Sequence, residues 1–198
     1  MPFNLAINQS QPLQNATLRA KEALLQKPIF MDTETTGLDS LSEIIEIAIL
    51  DSDGNILFNS LIKPLSPIPM AAMQFHGISN EMVVNAPRWF VIWEQIRGIF
   101  FDRLIGIYND EFDLRMIEQT NKLSGIARWQ PGKIPLDIMR LFADFRSVWD
   151  PYHNSNKIFR LEDAGRYFNI CIPNSHRALD DALLAREVLI KIAESNSN

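Results

Sequence analysis

PIFMDTETTGLDSLSEIIEIAILDSDGNILFNSLIK, residues 28–63, is the stretch that decides the fold. PIFMDTE (28–34) reads as a buried strand, entered after Pro28 has closed a preceding helix. Residues 42–63 read as a β-hairpin, with β-branched runs on both sides of Asp53-Gly54, a strong turn dipeptide. The core therefore opens with three strands in a meander. Upstream, TLRAKEALLQK (17–27) predicts a helix capped by Asn15 or Thr17, with Leu18, Leu24 and Leu25 as its apolar residues. Residues 1–15 are rich in Asn and Gln without a periodic pattern and read as a loose or docked arm, leaving 16–198 as one domain.

Downstream, KPLSPIPM (63–70) is a proline-rich connection. Short helices are expected at 71–77 and at 79–84, the second capped by Ser79, and a longer one at 88–100. RLIGIY (103–108) is a strand-type run. Helical patterns follow at 109–123, opened by Asn109 or Asp110, and at 136–145, where Asp137 looks like a cap. Two more lie at 160–169 and at about 178–194, the last with Asn174 or Ser175 near its cap. SVWDPYHNSNK (147–157) reads as a loop. Antiparallel strands followed by alternating helices and strands imply an α/β fold, a mixed sheet with helices on both faces.

The chain has 198 residues, 46% hydrophobic and 22% charged, enough for a substantial core without staples. Its single cysteine, Cys171, excludes an internal disulfide and a cysteine-based zinc site. No apolar run approaches the roughly 20 residues of a membrane span, and the start lacks the order of a signal peptide, so the expected location is the cytoplasm. A net charge of -5 argues against bulk electrostatic binding of nucleic acid, but not against an enzyme that cancels charge locally with metal.

Three acidic clusters carry the chemistry. Asp32 and Glu34 alternate onto one strand face, near the turn marked by Gly37. Two carboxylates there repel unless a cation sits between them, although a solvated strand end would also explain them. Asp113 closes Asn109-Asp110-Glu111-Phe112-Asp113, whose acids could simply face a helix dipole. In the last helix, residues 178, 181, 182, 185, 188, 189 and 192 share one face, and Asp181 is the lone charge on that apolar stripe. Asp180 falls on the other side with Arg177, Glu187 and Lys191. A buried salt bridge to an arginine is the plain alternative for Asp181. One explanation covers all three: hard oxygen ligands for two ions, Mg²⁺ or Mn²⁺, held about 4 Å apart for phosphodiester hydrolysis. His176, near the start of the same helix, could take a proton from the attacking water.

These residues resemble the DEDDh, or DnaQ-like, 3′-5′ exonucleases, the group that includes the proofreading ε subunit of DNA polymerase III. DTETTGL (32–38), YNDEFD (108–113) and HRALDD (176–181) resemble the family's three motifs in order, and FHGIS (75–79) an intervening signature. The resemblance covers about residues 20–194. It implies a ribonuclease H-like fold with a five-stranded mixed sheet. It makes Asp32, Glu34, Asp113 and Asp181 the metal ligands and His176 the general base. Thr35 and Leu38 would touch the terminal nucleotide, Asn109 and Phe112 would shape the pocket, and His76 either approaches that nucleotide or stabilises its local helix.

The implied activity is removal of nucleoside 5′-monophosphates from a single-stranded 3′ end, DNA being favoured over RNA by the full TTG of the first motif. An exoribonuclease acting on RNA ends or short oligoribonucleotides shares these motifs. A silent docking module for a replication or repair complex would have lost a ligand carboxylate, and none is missing. With no long tail after the last helix, a stand-alone nuclease is expected, with the N-terminal arm left to bind a polymerase or repair partner. Bland readings hold elsewhere. Trp89 and Trp93 read as core, and Trp149, Tyr152 and His153 as loop packing rather than base stacking. Arg177 reads as a salt-bridge partner of surface acids such as Asp180 rather than as a phosphate contact, and Glu46 as either a strand residue or support for the metal site.

Overall fold

The computed structural model describes residues 10–172 and 175–195. In chain order the elements are α1 (Ser10–Leu25), β1 (Ile29–Thr35), β2 (Ile44–Leu50), β3 (Ile56–Leu61), α2 (Met70–His76), α3 (Asn80–Val83), α4 (Trp89–Phe100), β4 (Ile105–Ile107), α5 (Asp110–Leu123), β5 (Leu136–Asp137), α6 (Ile138–Arg146), β6 (Trp149–Asp150), β7 (Ser155–Asn156), α7 (Leu161–Tyr167) and α8 (Ala178–Glu194). Five strands form one sheet in the order β3-β2-β1-β4-β5. β1, β2 and β3 pair antiparallel, and β4 and β5 join parallel to β1. This is the mixed sheet of the ribonuclease H-like fold.

Alternation along β1 splits the core in two. Ile29 and Met31 pack with Trp89, Trp93, Ile105 and Met116 on the α4–α5 side. Phe30 packs with Leu141, Ala182, Ala185 and Val188 on the side of α1, α6 and α8. Glycine at 106 lets the Phe30 ring and Ile138 close over β4: a Cβ there would stand 3.1 Å from the Phe30 ring and 3.3 Å from Ile138. The apolar stripe of α8 is buried throughout, Asp181 included.

Several expectations need correction. α1 begins at Ser10, before either expected cap, so residues 10–15 are helical; the rest of the expected arm, residues 1–9, lies outside the described residues. Its buried face is Ala16, Thr17, Ala20 and Ala23, while Leu18 and Leu25 are exposed. Small side chains let α1 settle close against α6 and α8, which leucine spacing did not signal. Leu136–Asp137, read as helix, is the edge strand β5, too short to show a period of its own. Asp137 still caps α6, its carboxylate accepting from the N–H groups of Met139 and Arg140. The 147–157 loop carries the small β6–β7 hairpin. The N-cap position of α8 is Arg177, not Ser175; Asn174 lies outside the described residues. Asn109 stands at the N-cap of α5 in left-handed backbone (φ 77°, ψ 63°), with no side-chain capping bond.

Candidate active site

Phe30, Asp32 and Glu34 share the α8 side of β1, and the two acids lie toward its C-terminal end, where ligands gather in open α/β sheets. α8 brings Asp181 to them. One carboxylate oxygen from each of Asp32, Glu34 and Asp181 lies within 4.8 Å of the other two. Asp113 arrives separately in the first turn of α5, buried, and its Oδ1 accepts the Thr33 hydroxyl at 2.7 Å. Thr33 points to the opposite face from Asp32, so this bond ties α5 to the strand that carries the other acids.

The acids disfavour one another's ionised forms. Burial, then the charge of Asp181 and Glu46, pushes the Glu34 carboxyl up to about 9. Asp32 is held well above the ordinary carboxylate range by burial and by Asp113, Asp181 and Glu34. Burial raises Asp113 to about 7 and, with help from Asp180, Asp181 to about 7. Among the described residues Asp181 Oδ1, which is buried, has no hydrogen-bond partner. Crowded hard oxygens and an orphaned buried acceptor fit a divalent cation, which would supply the missing positive charge.

The acids open into a cleft of about 640 Å³ that also reaches Thr35, Leu38, His76, Phe112 and His176. Of the ten residues expected at the site, Asn109 alone does not line this cleft. Leu38 is exposed at the rim, whereas Thr35 is buried, its hydroxyl donating to the Gly37 carbonyl at 2.8 Å. His76 is a buried wall residue whose Nδ1 accepts from the Ile78 N–H at 3.0 Å, and burial lowers its pKa. His176 stands in left-handed backbone (φ 52°) with its ring stacked on Phe75, centroids 4.1 Å apart.

Phe75, Tyr108 and Leu161 line the cleft without having been singled out. FHGIS contained Phe75, but only the meeting of α2 with the segment before α8 shows what it touches. Arg177 is a second correction. It pairs with the buried Glu46 rather than with Asp180, and Asp180 instead accepts the Ser175 hydroxyl at 2.6 Å. Glu46 also accepts the Ala178 N–H at 3.0 Å, so it ties β2 to the start of α8. Trp89 and Trp93 are core, as expected.

A family profile described as an exonuclease domain, RNase_T, matches residues 29–189. The chain is 36% identical over 192 residues to the uncharacterized exonuclease CP81 of Escherichia phage 186, covering 93% of this chain and 98% of that one. It is 28% identical over 178 residues to the DNA polymerase III subunit epsilon of Rickettsia conorii, covering 84% and 73%. A solved structure of exonuclease X in complex with 5′-overhanging duplex DNA superposes with a TM-score of 0.59 at 27% identity, over 83% of this chain and 89% of that one. The motifs, the sheet order, the acidic cleft and these likenesses agree: the chain belongs to the DnaQ-like RNase_T exonuclease family and is a hydrolytic exonuclease.

Proposed function

We propose that the chain removes nucleoside 5′-monophosphates one at a time from the 3′ end of single-stranded DNA, using two divalent ions, Mg²⁺ or Mn²⁺. The observation that carries this reading is the meeting of Asp32, Glu34 and Asp181 within 4.8 Å, with Asp181 Oδ1 buried and unpartnered among the described residues. Asp113, beside them in the same cleft, is the fourth ligand. Ions held there would neutralise the phosphodiester charge and activate water for attack on phosphorus. His176 takes the proton from that water, and its place in the cleft on the ring of Phe75 supports the role. Thr35 and Leu38 touch the terminal nucleotide, Leu38 as a wedge at the rim, and Phe112 shapes the pocket. The DNA preference, and a polymerase as partner, are supported by the polymerase III epsilon relative and by the DNA held in the exonuclease X structure.

The test incubates the protein with matched 5′-labelled single-stranded DNA and RNA, in Mg²⁺, Mn²⁺ or EDTA. A descending ladder on DNA, faster than on RNA, blocked by a 3′-phosphate and absent in EDTA, is expected. Full activity in EDTA would sink the metal reading, and faster trimming of RNA would sink the DNA preference. Cutting of a circular single strand would show an endonuclease.

A further inference from the structure

Next to the cleft runs a groove of about 610 Å³ lined by Arg146, Lys157, Arg160 and Arg166, with the rings of Phe159 and Tyr167. Four cations against one lining acid, Asp163, is a local excess opposite in sign to the chain's net charge of -5. The Arg146 guanidinium lies 4.1 Å from the Tyr167 ring centroid and 4.9 Å from that of Phe159. Lys157 Nζ lies 5.6 Å from the Phe159 centroid. Asp163 is taken by Arg166 at 2.6 Å, and Glu162 stands 3.9 Å from both Arg160 and Arg166. Among the described residues no carboxylate pairs with Arg146 or Lys157. Cations seated on aromatic faces are held in position with N–H donors left over for an anion.

The linings of the groove and the cleft adjoin. Arg160 is followed by Leu161, which lines the cleft, and the Phe159 carbonyl accepts the hydroxyl of Tyr108, another cleft residue, at 3.0 Å. On its other side the Lys157 N–H donates to the Val148 carbonyl at 2.7 Å, fastening the groove to the β6–β7 hairpin. That hairpin presents Trp149 and Tyr152, 58% and 89% exposed. Alternating cations and aromatic faces suit a single strand, whose phosphates need charge and whose unpaired bases need stacking partners.

We propose that this groove is a second binding site, which takes the phosphodiester backbone of single-stranded nucleic acid several nucleotides to the 5′ side of the bond being cut. It rests on the single-stranded substrate proposed above. The enzyme would then hold a long strand at two places and a dinucleotide at one.

The test uses the full chain carrying Lys157→Gln and Arg160→Gln together, two exposed side chains whose loss should leave the melting temperature unchanged. Binding of a labelled oligonucleotide of about 12 residues is followed by anisotropy in EDTA across a range of salt. The double variant is expected to bind about tenfold more weakly at low salt, with a salt slope shallower by about one to two units, since each phosphate contact contributes about 0.7 for a single strand. In Mg²⁺ or Mn²⁺ the ratio of its KM for the oligomer to its KM for a dinucleotide should rise by a similar factor. Wild-type affinity and slope in the double variant would overturn the proposal and leave these cations to an acidic protein surface. Because binding is read without turnover, the two readings fail separately. Loss of oligomer affinity in a protein that releases no nucleotide keeps the groove and removes the substrate reading. Normal trimming with unaltered binding does the reverse.

Discussion

Arg177 lays its guanidinium across both carboxylate oxygens of Glu46, with Nε 3.1 and 3.0 Å away, while Glu46 stands directly opposite Glu34 in the antiparallel pairing of β1 and β2. A buried carboxylate beside the acidic site is thereby neutralised, and the same carboxylate receives the Ala178 N–H at the start of α8. The pair fixes where the helix carrying Asp181 meets the sheet.

Its two halves should not be equivalent. Arg177→Gln leaves the Glu46 side chain, 4% exposed, without its counter-charge and next to Glu34. Breaking a buried pair in this way costs about 3–5 kcal/mol. Glu46→Gln leaves Arg177, 39% exposed, able to turn to water, and leaves no buried charge without a partner, so a loss of about 1 kcal/mol is expected. Urea unfolding in EDTA at neutral pH measures both. The opposite order would mean that the arginine, not the carboxylate, is the group the fold cannot leave bare.

Asp32→Ala should abolish hydrolysis and yet leave the metal-free protein as stable as the wild type, or more so. Removing one of several mutually repelling carboxylates relieves repulsion while destroying the ion site. In the wild type, Mg²⁺ or Mn²⁺ should raise the melting temperature, because ligands bind the native state. A melting temperature of Asp32→Ala well below that of the wild type in EDTA would show that the side chain serves the fold.

The raised pKa values set the pH dependence of the metal-free protein. Unfolded, these acids titrate near about 4. Folded, Asp113 and Asp181 hold their protons to about 7 and Glu34 to about 9. Between those limits the native state binds more protons than the unfolded chain, so stability is full below the lower limit and is lost as pH rises through the folded values. In EDTA the melting temperature should fall from about pH 5 to about pH 9, and the increment from Mg²⁺ should grow over the same interval as the ion replaces protons. A melting temperature that climbs with pH in EDTA would contradict the burial of these carboxyls.

His176→Ala should lower turnover by about 10²-fold or more, with little change in the metal-induced rise of melting temperature. The ring touches Phe75, and the metal is assigned to the carboxylates. An unchanged rate would remove the imidazole from the reaction.

Asp180 and Asp181 are neighbours of the same type with different surroundings. Asp181 sits on the buried stripe facing Asp32 and Glu34, and Asp180 accepts from Ser175 at the partly exposed start of α8. Asp181→Asn should nearly abolish hydrolysis. Asp180→Asn should cost little activity and, as a polar contact near the surface, about 0–1 kcal/mol. Single-turnover rates of the two variants decide it; an inactive Asp180→Asn beside an active Asp181→Asn would reverse the assignment.

Much of this was legible in local periodicity. The alternation in IFMDTET puts Asp32 and Glu34 on one face, and the 3.6-residue period of α8 picks Asp181 over Asp180 for the buried stripe. Both follow from backbone geometry within a few residues, so no knowledge of neighbours is needed. The partners of those residues were not legible. Thr33 meets Asp113 across 80 residues and Arg177 meets Glu46 across 131, and such pairs exist only because particular elements cross. The nearest acid in sequence, Asp180, was the wrong partner for Arg177. Likewise β5 is a strand because β4 lies beside it, and the basic groove forms only when the end of α6, the segment at 157–160 and α7 come together. Hydrogen-bond and charge partners depend on distance in space, which a repeating pattern along the chain does not encode.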